Sequence, residues 1–158
     1  MAATITPSTT SLVIKLAQDY PQFTFAEGDD FYWSPSEQTI YYVKDSADVA
    51  AFLHELAHGL LEHGSYIRDI RLIELERDAW THASMHLAPL YNMTIGNEVV
   101  ESALDTYRDW LHARSTCPHC QATGVQTSSN TYRCVACHTS WKVNEARICA
   151  LRRYTLSN

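Results

Sequence analysis

Apolar residues recur along the chain in two rhythms, and the switches between them predict its elements. Over residues 11–20 the apolar positions Leu12, Ile14, Leu16 and Ala17 fit a helix that Pro21 stops. The small, polar residues 1–9 ahead of it are expected to be loosely held. Aromatic and β-branched residues then gather at 23–25, 31–33 and 39–43, with turn-forming runs at 27–30 and 35–38 between them. This predicts a three-stranded antiparallel meander. Helical spacing returns over residues 47–63, with Asp45-Ser46 as N-cap and Gly64 as stop, and again over 67–90. A third helix covers 97–112, where Val99, Ala103, Leu104, Tyr107 and Leu111 recur at helical intervals. A short hairpin over 125–133, turning at Ser128-Ser129-Asn130, and a short helix within 144–154 complete an α+β chain.

Composition places the chain among globular proteins: 46% of its 158 residues are hydrophobic and 19% are charged, which excludes a largely disordered polymer. No apolar run approaches the ~20 residues that cross a bilayer, so no membrane partner is expected. At the N-terminus Lys15 follows the apolar stretch instead of preceding it, which speaks against a secretory leader and makes the cytoplasm the expected address. The net charge of -6 conceals an asymmetry. Residues 1–112 hold six Lys and Arg against 17 Asp and Glu, whereas residues 113–158 hold six Lys and Arg against Glu145 alone. All five cysteines lie in the second stretch, so a domain 1–112 and a basic domain 113–158 are expected.

Four of those cysteines form two pairs, Cys117-Pro-His-Cys120 and Cys134-Val-Ala-Cys137, with 13 residues between them. Two such knuckles can set four thiolates tetrahedrally about one structural Zn²⁺, as in a zinc ribbon. Disulfides would need an oxidising compartment, and a redox CxxC would open a helix in a βαβ unit. Tyr132 and Trp141 are assigned to the ribbon's small core, and Cys149 is read as a buried thiol.

The helix over 47–63 carries His54-Glu55-Leu56-Ala57-His58. Positions four apart are offset by only ~40° around a helix, so both imidazoles project from one face and can ligate a second, catalytic Zn²⁺. Glu55, ~100° round, is placed to take a proton from water there. His63 lies ~180° from His54 on the same helix, pointing away from the metal, and is set aside as a ligand in favour of solvation at the helix end. On the next helix Glu76 sits among Leu72, Trp80, Ala83, Leu87 and Leu90, a carboxylate in the middle of an apolar stripe, and is therefore the expected third metal ligand. Glu74 and Asp78 fall on the opposite, wet face with Arg71. His82 and His86 lie at the stripe's edge, and His86 is read as a candidate electrophilic catalytic group. Donors to a developing oxyanion remain open among Tyr41, Tyr42, His86 and Tyr91, and the strand 39–43 is a candidate edge for an extended substrate.

His54–His58 followed by Glu76-Arg77-Asp78-Ala79-Trp80, Ala83 and Pro89 resembles the ImmA/IrrE-type zinc metallopeptidase family over roughly residues 10–90. The departures are Trp80, where Asn is common, and Leu87-Ala88-Pro89 at the closing triplet. The resemblance implies a minimal zincin-like fold: an N-terminal helix, a three-stranded antiparallel sheet, the HExxH helix and a Glu-bearing helix, here with a ribbon added. It also implies a cytoplasmic endopeptidase acting on a specific protein target, such as a helix-turn-helix repressor of a phage or mobile element. Two alternatives stand beside it. One is a SprT-like peptidase acting on DNA–protein crosslinks, a group that resembles this chain in joining HExxH to a zinc-binding appendage but uses a third His. The other is a non-catalytic regulator with structural zinc sites that binds protein, or nucleic acid through its basic ribbon.

Overall fold

A computed structural model describes residues 7–145 and 151–157. The chain separates into two units: residues 1–64 with 77–100, and residues 65–76 with 101–158. The expected boundary at 112/113 falls inside the second unit, and the helices over 69–82 and 97–115 each contribute residues to both units.

In the first unit, Ser8 caps α1 (Thr9–Asp19) through a reciprocal pair of bonds with Ser11. Thr9 is held firmly, contrary to the loose N-terminal stretch expected. It is fully buried, and its hydroxyl donates to the Val43 carbonyl at 2.6 Å.

The three strands are β1 (Thr24–Glu27), β2 (Tyr32–Ser34) and β3 (Thr39–Tyr42), and their spatial order is β1-β3-β2. The antiparallel meander is thus corrected. β2 and β3 form an antiparallel hairpin, but β1 runs parallel to β3, with Thr24 opposite Thr39. β3 takes the centre because it is the strand with most to bury: Ile40 is inaccessible and Tyr42 nearly so, while β1 and β2 are part-exposed edges. Its central place also removes 39–43 as a free edge for a substrate.

α2 (Val49–Leu60) packs on this sheet through Phe52, Leu53 and Leu56, with Phe52 stacked on Tyr42. Its cap is Asp48, whose carboxylate accepts from the Ala51 N–H at 3.0 Å. The expected Asp45-Ser46 cap is already engaged with α1: Asp45 accepts from the Thr10 hydroxyl, and the Ser46 carbonyl accepts from the Thr9 N–H. α3 (Asp69–His82) runs into a π-helical turn (Ala83–Leu87) and then α4 (Ala88–Leu90). Ala79, Ala83, Leu87 and Ala88 complete the core with α1, α2 and β3. The wide π-turn shifts the helical phase, so Leu90, expected on the apolar stripe, is exposed instead.

In the second unit, α5 (Asn97–Ser115) leads into a four-stranded antiparallel sheet, β4 (Gly124–Ser128), β5 (Thr131–Cys134), β6 (Ser140–Val143) and β7 (Arg153–Thr155). β4 and β5 form the expected hairpin, and Tyr132 and Trp141 fill the small core as read from the sequence. The expected C-terminal helix is corrected in its described part. Arg153–Thr155 pairs with the outer edge of β6, Lys142 opposite Tyr154, and so completes a ladder that a helix would leave open. The rest of that segment, Cys149 included, lies outside the described residues.

Beside the sheet, Asp69 and Arg114 form a buried ion pair at 2.7 Å. The Tyr132 hydroxyl donates to the same Asp69 oxygen at 2.6 Å, and the Arg114 guanidinium also donates to Asn130 and the Asn144 carbonyl. Among the described residues no helix is long and apolar enough to cross a membrane.

Candidate metal centres

α2 brings His54, Glu55 and His58 together, with one potential ligand atom of each within 4.8 Å of the others. The two Nε2 atoms are 3.0 Å apart and both rings are buried. Two nitrogens bound tetrahedrally at ~2.0–2.1 Å would stand roughly 3.3 Å apart, so the pair is close to a chelating geometry as built. Glu55 Oε1 lies 3.8 Å from His54 Nε2 and stays partly open to solvent.

Trp33 of β2 ties this segment down at two points. Its backbone N–H donates to Glu55 Oε2, and its indole N–H donates to the His63 carbonyl, each at 2.9 Å. Gly59 allows the approach, since a Cβ there would stand 3.3 Å from both the Trp33 and the Phe23 rings. The His54 ring lies stacked on Trp80, with centroids 4.1 Å apart. Trp33 carried no sequence signal, being one aromatic among several in a strand. Trp80, read as a departure from the family pattern, has a specific place as the platform under a candidate ligand.

His63 is the residue that helical extrapolation misplaced. α2 ends at Leu60, and the chain turns back through Glu62, whose φ of 55° lies in the left-handed region. The Glu62 N–H bonds to Gly59 and the His63 N–H to the His58 carbonyl, the paired closure of a Schellman motif. Gly64 is therefore not the stop, and the His63 side chain returns to His58, Nδ1 to Nδ1 at 2.8 Å.

Glu76 is buried on α3, as its place in the apolar stripe predicts, but it is not among the residues gathered with His54 and His58; Glu74 and Asp78 pair with Arg71 and Arg77 on the wet face. His86 is exposed in the π-helical turn and faces His82 at 5.1 Å between centroids; it does not join the His54 group. Of the tyrosines considered as oxyanion donors, Tyr91 donates to Asp19 and Tyr41 to Glu37. The Glu37 bond, with some desolvation, pushes the Tyr41 hydroxyl up to about 12. Tyr42 is stacked in the core.

The second centre gathers the Sγ atoms of Cys117, Cys120, Cys134 and Cys137 within 4.8 Å of one another. Cys117 and Cys137 are 3.7 Å apart and Cys120 and Cys134 3.5 Å, far too long for disulfides and close to the roughly 3.8 Å edge of a tetrahedron of thiolates at ~2.3 Å. The two knuckles repeat one design. The N–H of the first cysteine donates to the carbonyl five residues on, Cys117 to Ala122 and Cys134 to Thr139, each at 2.8 Å. The residue after the second cysteine is left-handed in both, Gln121 at φ 64° and His138 at φ 63°. Amides within the knuckles point at sulfur, from His119 to Cys117 and from Ala136 and Cys137 to Cys134. Thr139, through its side chain and then its amide, draws the Cys137 thiol down to about 5. The four sulfurs and the His54–Glu55–His58 group could each hold a metal ion. The chain matches no family model, no curated protein and no solved structure.

Proposed function

We propose that this protein is a zinc-dependent endopeptidase in which His54 and His58 hold a catalytic metal, with Glu76 as third ligand, and the four cysteines hold a structural one. The observation that carries the reading is the orientation of Glu55: a carboxylate on the helix that carries both histidines, one oxygen fixed by the Trp33 amide and the other turned toward His54. A helix whose histidines served only packing would have no need of that restraint. Glu76 enters through α3 itself: it is buried, and it stands one turn before Trp80, the residue stacked on His54. Zinc held there would polarise a peptide carbonyl and make water a competent nucleophile near neutral pH.

The chain's own residues supply the rest. Glu55 accepts the proton of the attacking water at Oε1 while Oε2 stays hydrogen-bonded to Trp33, and it later returns the proton to the leaving amine. His54 keeps its orientation against the Trp80 ring. With β3 central, the part-exposed strand beside Glu55 is β2, which becomes the edge for an extended substrate. The resemblance to ImmA/IrrE-type peptidases suggests a DNA-binding regulator as target. The SprT-like reading loses ground because it wants a third histidine where the buried group is Glu76. The ribbon's aromatics favour the peptidase over a base-stacking nucleic-acid binder, since Tyr132 and Trp141 are buried in its core.

The test is Glu55→Gln, which keeps size and hydrogen bonding but removes the base. Metal content and fold should match wild type, while cleavage of a partner retained by the variant falls by about two to four orders of magnitude. If wild type and variant act equally on that partner, the protein works by binding and the peptidase reading is lost.

A further inference from the structure

We propose that His63 is a positioning residue for His58, holding its ring in the single tautomer and orientation that presents Nε2 to a metal; this rests on the metal reading given above for His54 and His58. The geometry assigns opposite tasks to the two nitrogens of His58. Nε2 faces His54 Nε2 at 3.0 Å, on the side where a shared ion would sit, and Nδ1 faces His63 Nδ1 at 2.8 Å. An imidazole that gives its Nε2 lone pair to a cation must carry its proton on Nδ1, and that N–H then donates to His63. His63 can accept only as the tautomer protonated on Nε2, so a single arrangement of protons satisfies the pair.

His63 is itself held in place without help from its ring. The Schellman closure fixes its N–H on the His58 carbonyl, and the Trp33 indole fixes its own carbonyl. Both restraints act on backbone atoms, so they survive replacement of the side chain. The left-handed Glu62 is what brings the residue back: one more helical turn would have carried it away from His58.

The test uses the full-length chain with its cysteine centre loaded. Affinity for a second Zn²⁺ or Co²⁺ is measured by competition with a chelator, and the Co²⁺ absorption bands report ligand geometry. His63→Ala should weaken that second site about 10-fold to 100-fold and broaden the bands, as loss of an outer hydrogen bond to a metal-bound histidine does. His63→Asn, whose side-chain oxygen can still accept from Nδ1, should recover a substantial part of the affinity. Thermal unfolding of the variants without the second ion separates positioning from simple stability, because a structural role would lower that midpoint and leave the affinity ratio near one. An unchanged affinity in His63→Ala overturns the assignment, and so does an Asn variant as weak as the Ala variant. A wild-type chain that takes up one ion, at the cysteines alone, overturns the metal reading and this inference together, and is distinguished by that stoichiometry.

Discussion

Four sulfurs on two loop knuckles can close a coordination shell by themselves, whereas the two imidazoles that α2 presents, with Glu55 beside them, would leave one open. The first unit has its own means of folding: a core of Leu, Ile, Phe and Ala side chains from α1, β3, α2 and the segment after α3. Its histidines are presented by a helix that this core already holds. Among the described residues the ribbon's buried cluster is Tyr132, Trp141, Val143, Cys117 and Cys134, with Ala122, Cys137 and Leu151 packed against it, a small core for four strands. A closed donor set there would stabilise structure, and an open one where the scaffold has its own core would leave a position for chemistry.

The comparison is most directly challenged by removing a sulfur. Cys134→Ser should abolish one metal per chain and unfold β4–β7, while the His54 region keeps its metal and its slow amide exchange. Mass spectrometry of the intact protein and hydrogen exchange would show it, and joint loss of both regions would break the contrast.

Next in size is Asp69→Ala, which strands the Arg114 guanidinium in a buried setting and removes the acceptor of the Tyr132 hydroxyl. A cost of about 3–5 kcal/mol is expected in denaturant titration, confined to the second unit.

A smaller effect sharpens the same point through pH. Burial first, and then the hydrogen bond to Asp69, push the Tyr132 hydroxyl well above its ordinary value. Below pH 10 the group is neutral folded or unfolded, and its contribution is fully present. As pH rises above about 10 the unfolded chain ionises first, so stability falls. The denaturant midpoint of the second unit should fall as pH rises from about 10 to about 12, and Tyr132→Phe should flatten that dependence.

The smallest effect belongs to the first unit. Asp48→Ala removes the α2 cap and should cost about 1 kcal/mol, seen as a modest fall in the unfolding midpoint with the His54 metal retained.

The two groups that could hold a metal were legible because they follow local periodicity. HExxH is a helical spacing and CxxC a turn spacing, and neither depends on distant pairing. The burial of Glu76 was legible for the same reason, as a charge in an apolar stripe. What stayed hidden depended on partners far along the chain, or on a backbone choice with no residue signature. The parallel pairing of β1 with β3 is decided by which strand buries most, and the short connection past Gly28 is compatible with either order. The Asp45-Ser46 cap failed because α1, some 35 residues earlier, claims both residues. His63 was misplaced because Glu62 adopts a conformation usually given to glycine, so nothing announced that α2 would close there.

The repeated knuckle has a consequence for how the ribbon comes to exist at all. Each turn is stitched by its own short-range bonds, so the geometry of either thiol pair is set within a few residues of chain. An ion caught by one pair would anchor an end of the 13-residue span, and capture by the other would close that loop at the modest entropic cost of a short chain. The strands between them then zip in register instead of searching for one another. Order in this half of the molecule would spread outward from the ion, and the rate at which the ribbon matures would follow the supply of metal, not the speed of strand pairing.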